Sequence, residues 1–148
     1  AGLRDAFAAM SAPALQPETL TGDAAHLALW LRLWMGETEV ARAPDDRLDA
    51  ALLALATGGQ PQPLSPALGA MAEVFATPLP PRPDPAVDGM ALAPALYGAL
   101  ADADAGLQGD VTRAARGVKM LRELGLIADA RRIATQIALD PALRGLAP

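Results

Sequence analysis

Between Asp23 and Met35 the chain gathers both of its tryptophans, its only histidine and its densest apolar run, and few folds can absorb such a segment. The spacing predicts a helix. At about 100° per residue, Leu27, Leu29, Trp30, Leu31, Leu33, Trp34 and Met35 sweep more than half of its circumference, leaving Ala28 and Arg32 to mark the narrow side that faces water. Such a helix is packed on more than one side, or is partly an interface. The arc places Trp34 with Leu27 and Leu31 on the core side. Leu29 and Leu33 then lie on a neighbouring face, covered by another helix or by a partner, which makes Leu29, Trp30 and Leu33 candidate interaction residues. The run is too short to span a membrane and carries Arg32, so no membrane span is expected.

The rest of the core must come from small and aliphatic side chains, because aromatic residues make up only 3% of the 148. Alanine and leucine are strong helix formers, and the residues that suit a pleated surface are scarce. An all-α fold follows, of about seven helices stacked as antiparallel hairpins in a short α-solenoid or an irregular helical bundle. The length suits a single helical domain over residues 1–148, with a helical group at 1–76, a proline-rich connector at 77–87 and a second group at 88–148. The chain opens Ala1-Gly2-Leu3 without an initiator methionine, which fits a module of a larger protein or a processed chain and leans slightly towards export.

Punctuation along the chain sets the elements. Leu3 to Met10 reads as a short helix ended by Pro13 and Pro17. Thr21-Gly22-Asp23 offers a capping oxygen to the tryptophan helix, and Gly36 suits its left-handed end. Pro44-Asp45-Asp46 opens a third helix with the stripe Leu48, Ala51, Leu52, Leu55 and Ala56, stopped by Gly58-Gly59. Ser65-Pro66 opens a fourth, with Leu68, Met71, Ala72 and Phe75 at helical spacing. Five of the nine residues from Thr77 to Pro85 are proline, which predicts an extended connector. Pro94 suits the first turn of a helix to about Ala103, with Leu92, Leu96, Tyr97 and Leu100 as its buried stripe. Asp110 caps a helix through Leu124, Gly125 ends it, and a last helix runs from Leu126 to about Leu139 before Asp140-Pro141 caps a final turn. The interior glycines Gly69, Gly98 and Gly117 each cost about 1 kcal/mol relative to alanine, so either a neighbouring helix presses close there, the favoured reading, or the site is tolerated by chance.

The stretch from Ala51 to Phe75 can be laid over Ala95 to Leu121 at an offset of about 44 residues, a period that suits paired-helix arrays. Leu121, the turn residue Gly125, Ala130, Ala138-Leu139 and Asp140-Pro141 together resemble one degenerate tetratricopeptide (TPR) hairpin over Ala114 to Pro141. Ala114 and Ala134 stand where that family has large aromatics. The resemblance implies paired-helix architecture, and fold-level likeness carries no function with it.

Charge is uneven. Residues 1–108 hold five basic and thirteen acidic side chains, whereas residues 109–148 hold seven and four, so the parts carry −8 and +3. Arg113, Arg116, Lys119 and Arg122, with Arg131 and Arg132, form a basic strip that can receive an acidic partner. No aromatics interleave the strip in sequence, and the overall charge is −5, so nucleic acid is not expected as a partner.

Catalytic chemistry finds little to work with. There is no cysteine, which excludes disulfides, thiolate metal sites and cysteine nucleophiles. Ser65 is accounted for as a cap, and neither it nor Ser11 lies in a G-x-S-x-G turn. Asp102, Asp104 and Asp110 fail the calcium-loop template, since Leu107 and Arg113 stand where glycine and glutamate are needed. The acid pairs Glu37/Glu39 and Asp45/Asp46 sit at loop and cap positions. A metal around His26 would have to be completed by carboxylates, so no metal or cofactor is expected. The function expected is a non-catalytic protein-interaction or structural module, whose partner is another protein, another part of its own longer chain or a second copy. The alternative is a helical domain binding a small apolar or lipidic ligand near Trp30 and Trp34, which would require an enclosed cavity there.

Overall fold

A computed structural model describes residues 20–40, 43–79 and 92–145. The expected helix at Leu3–Met10 and most of the proline-rich connector lie outside them. Among the described residues there are six α-helices, one 3₁₀ turn and no strand. The helices are α1 (Asp23–Met35), α2 (Arg47–Thr57), α3 (Pro66–Ala76), α4 (Leu92–Asp104), α5 (Val111–Glu123) and α6 (Ile127–Arg144), with the 3₁₀ turn at Ala105–Gln108 between α4 and α5. No helix among them is long and apolar enough to cross a membrane.

Most ends are where local chemistry puts them. Asp46 accepts from the backbone N–H groups of Leu48 and Asp49, Ser65 from that of Leu68 with Pro66 at the first helical position, and Asp110 from that of Arg113. Gly36 and Gly58 close α1 and α2 in the left-handed conformation, at φ 87° and 96°. Two ends depart from expectation. The residue in the N-cap position of α1 is Gly22, which has no side chain to offer a capping oxygen. At the other terminus α6 runs through Pro141 to Arg144, where an Asp140–Arg144 ion pair of 2.7 Å ties its last turn.

α6 packs against α1, α2, α3 and α5, while α4 lies along α5 and the 3₁₀ turn. A single cluster of buried side chains draws Leu29 and Leu33 of α1, Leu52 and Leu55 of α2, Leu68 and Met71 of α3, Ala99 of α4, Val118 and Leu121 of α5, and Ile137 and Leu139 of α6. The packing is compatible with a helical bundle, and the sides of α1 and α4 that enter it differ in part from expectation.

In α1 the buried residues are Ala28, Leu29 and Leu33, while Leu27 is exposed and Trp34 is only partly buried. The face that bears Leu29 and Leu33 is therefore the one that enters the core, and Ala28 does not face water. α6 meets α1 through Gln136, which donates to the Trp34 carbonyl, and through Arg132, whose side chain lies against Gly36. Both tryptophans pack at the edge of the core, where an indole N–H can still find an acceptor.

In α4 the buried residues are Ala99 and Ala103, not the expected leucine and tyrosine stripe. A Cβ placed on Gly117 of α5 would stand 2.5 Å from both the Ala103 nitrogen and the Ala99 oxygen. Two backbones that close admit only alanine and glycine between them, so Tyr97 and Leu100 are turned outward, while Leu96 of the expected stripe packs partly buried against the core. Close approach thus accounts for Gly117, and in part for Gly69, whose Cβ would meet Pro63 at 3.3 Å. It does not account for Gly98, around which there is no atom within 4 Å.

Candidate functional site

Asp49 stands one turn before Leu52 on α2, so the packing that buries the leucine carries the carboxylate inward with it; only 5% of the residue is exposed. A buried carboxylate needs donors. They come from α1, where His26 and Trp30 are four residues apart and share a face. Trp30 Nε1–H donates to Asp49 Oδ1 at 2.6 Å, and His26 Nδ1 lies 2.6 Å from Asp49 Oδ2. The two rings lie 6.3 Å apart at 40°. The hydrogen bond to Asp49 raises the His26 pKa above its ordinary value, against the effect of burial and with help from the charges of Asp49, Asp46 and Asp23.

Asp46, the α2 cap, lies beside the pair. Ligand atoms of His26, Asp46 and Asp49 fall within 4.8 Å of one another. The three residues border a hollow of about 350 Å³ whose other walls include Thr21, Leu29, Val40 and Pro44. A second hollow of about 240 Å³ lies between Asp23, His26, Trp30, Asp46 and Leu48. Sequence reading gave Asp49 no role; the signal was an acid set inside the α2 apolar stripe, facing a His-x-x-x-Trp pair.

Of the residues expected to form an interaction surface, Leu29 and Leu33 are in the core and Trp30 is tied to Asp49. The basic strip is divided by its own bonds. Arg113 and Arg116 both reach Asp102 of α4, at 2.8 and 2.6 Å, and hold its carboxyl down at about 2. Arg122 donates to the carbonyls of Val74 and Thr77 at the end of α3, and Arg131 to that of Leu55 near the end of α2, at 3.2 Å. Both guanidiniums lie over the Phe75 ring, 5.0 and 4.4 Å from its centre, so an aromatic does interleave the strip in space. Burial, followed by the neighbouring Arg122 charge, lowers the Arg131 pKa. Lys119 lies 4.0 Å from Glu123, and Arg132 pairs with Asp129 at 3.0 Å on the surface.

No protein-family model, curated protein or solved structure matches this chain.

The remaining acids of the 102–110 stretch are also engaged: Asp104 accepts from Gln108 and Asp110 caps α5. What the sequence reading missed on α4 is its outer flank. Tyr97 is 82% exposed and Leu100 45%. Leu100 continues into a groove of about 180 Å³ bordered by Leu107 and by Ile133 and Gln136 of α6.

Proposed function

We propose that this chain is a non-catalytic helical module, built of paired antiparallel helices, that binds another protein, another part of its own chain or a second copy of itself. The observation that carries the reading is the outer flank of α4, where Tyr97 and Leu100, three residues apart, are turned to solvent while alanines occupy the contact with α5. Adjacent large apolar side chains on a surface mark interaction sites. Tyrosine is among the residues enriched in such contacts.

For the arrangement of the helices, α6 touching α1 and α2 as well as its sequence neighbour α5 favours an irregular bundle, since in a solenoid each hairpin meets only adjacent ones. The α5–α6 hairpin, turning at Gly125, is the part we read as TPR-like, in architecture alone. A small apolar or lipidic ligand beside Trp30 is disfavoured by the chemistry of the two hollows there, whose walls carry Asp23, Asp46, Asp49 and His26.

The test is sedimentation velocity over a concentration series, joined to photocrosslinking from position 97 in cells, for the natural sequence and for Tyr97→Asp and Leu100→Asp. We expect self-association or one discrete crosslinked product, lost in both variants while circular dichroism is unchanged. A strict monomer that yields no discrete crosslink from position 97 would overturn the reading.

A further inference from the structure

We propose that His26, Asp46 and Asp49 form a binding site for one divalent transition-metal ion, with its open coordination positions facing the hollow beside α1.

Three observations combine. Each carboxylate has one oxygen held by a fixed donor. Asp49 Oδ1 receives the Trp30 indole N–H, and Asp46 Oδ1 receives the backbone N–H groups of Leu48 and Asp49. Donors behind a ligand are what orient carboxylates in metal sites, and they leave Asp49 Oδ2 and the second oxygen of Asp46 to coordinate. The imidazole supplies the third ligand, with Nδ1 already beside Asp49 Oδ2.

The spacing is that of a site one small adjustment from closure. Ligand bonds of about 2.0–2.2 Å place two ligands of one ion no more than about 4.4 Å apart, and at least about 3 Å apart when they are neighbours. Here all three groups lie within 4.8 Å, and the closest pair is at 2.6 Å. Both changes can be made by the His26 side chain, which is 37% exposed, while Asp46 keeps its cap.

The third observation is access. The same three residues border the hollow of about 350 Å³, so water or a ligand atom from a partner can reach an ion held between them. Two carboxylates match the charge of a divalent ion. One imidazole among oxygen ligands suits zinc, cobalt or manganese better than calcium or magnesium, which take oxygen donors throughout.

Cobalt(II) is the probe, because its visible absorption reports its coordination shell. Tag-free full-length chain, stripped with chelator, is titrated with cobalt(II) chloride by calorimetry and absorption. The natural sequence should bind one equivalent with a visible ligand-field band. His26→Gln should lose both signals. Asp49→Asn still offers an oxygen to Trp30, and Asp46→Asn retains the helix cap, so both variants should fold, as circular dichroism will check, yet bind at least tenfold more weakly. Absence of a one-equivalent site in the natural sequence would overturn the proposal and leave the trio as a structural ion pair. Equal binding by all three folded variants would overturn it by placing the ion elsewhere.

Discussion

Asp102 shows how much a single side chain can organise here. It lies on α4, yet its two oxygens are claimed by Arg113 and Arg116 of α5, three residues apart and therefore on one face. Neither guanidinium is buried, and exposed pairs contribute little singly, but one carboxylate shared by two planar donors is more tightly placed than either pair alone. Its pKa falls from 3.8 to about 2, chiefly through the hydrogen bonds from Arg116 and then Arg113. A depressed carboxyl pKa stabilises the fold above its unfolded-state value, and the contribution disappears as pH falls through the folded-state value. The urea midpoint of the natural sequence should therefore drop towards that of Asp102→Asn between about pH 4 and pH 2. Midpoints that differ by a constant amount across that window would show that Asp102 does not act through its charge.

Among elements, what was legible in the sequence was local and what was not was mutual. Asp46, Ser65 and Asp110 could be read as caps, and Gly36 and Gly58 as helix ends, because each acts on backbone within one turn. The side each helix buries is decided by the helix it meets, so the largest side chains mislead at Leu27 of α1 and at Tyr97 and Leu100 of α4, which are exposed. Asp49 was missed for the same reason, since its partners lie on another helix, 19 and 23 residues away. The glycines give this distinction opposite signs. Gly98 has open space where a Cβ would go, so Gly98→Ala should stabilise by about 1 kcal/mol through helix propensity alone. In Gly117→Ala the same gain meets backbone atoms 2.5 Å away that cannot rotate aside. Overpacking of this kind costs about 1–3 kcal/mol or more, and the net change should be destabilising. Urea unfolding of both variants decides it, and a stabilised Gly117→Ala would mean that α4 and α5 are not in backbone contact.

For the whole molecule, the charge asymmetry of the sequence has an internal use. Helices end in carbonyls that lack partners and carry partial negative charge. The later helices supply donors to them. Gln136 of α6 bonds the Trp34 carbonyl of α1, Arg131 that of Leu55 on α2, Arg122 of α5 those of Val74 and Thr77 on α3, and Arg144 that of Leu107 in the 3₁₀ turn. Three of the seven basic side chains in the C-terminal part, Arg122, Arg131 and Arg144, thus complement the ends of earlier elements. Arg131 combines these roles, because its guanidinium bonds Leu55, stacks on Phe75 and occupies space left open by Gly58, whose Cβ would stand 3.1 Å away. A planar group that stacks and donates together is not replaced by an ammonium. Arg131→Lys should therefore destabilise nearly as much as Arg131→Met, each by about 1.5–3 kcal/mol, as expected for a charged hydrogen bond that is partly shielded from water. Because the contact is partly buried, the loss should persist at high salt, unlike that of an exposed ion pair. Full rescue by lysine, or a loss that vanishes at high salt, would show that Arg131 acts through charge alone and that the helix ends are held by packing.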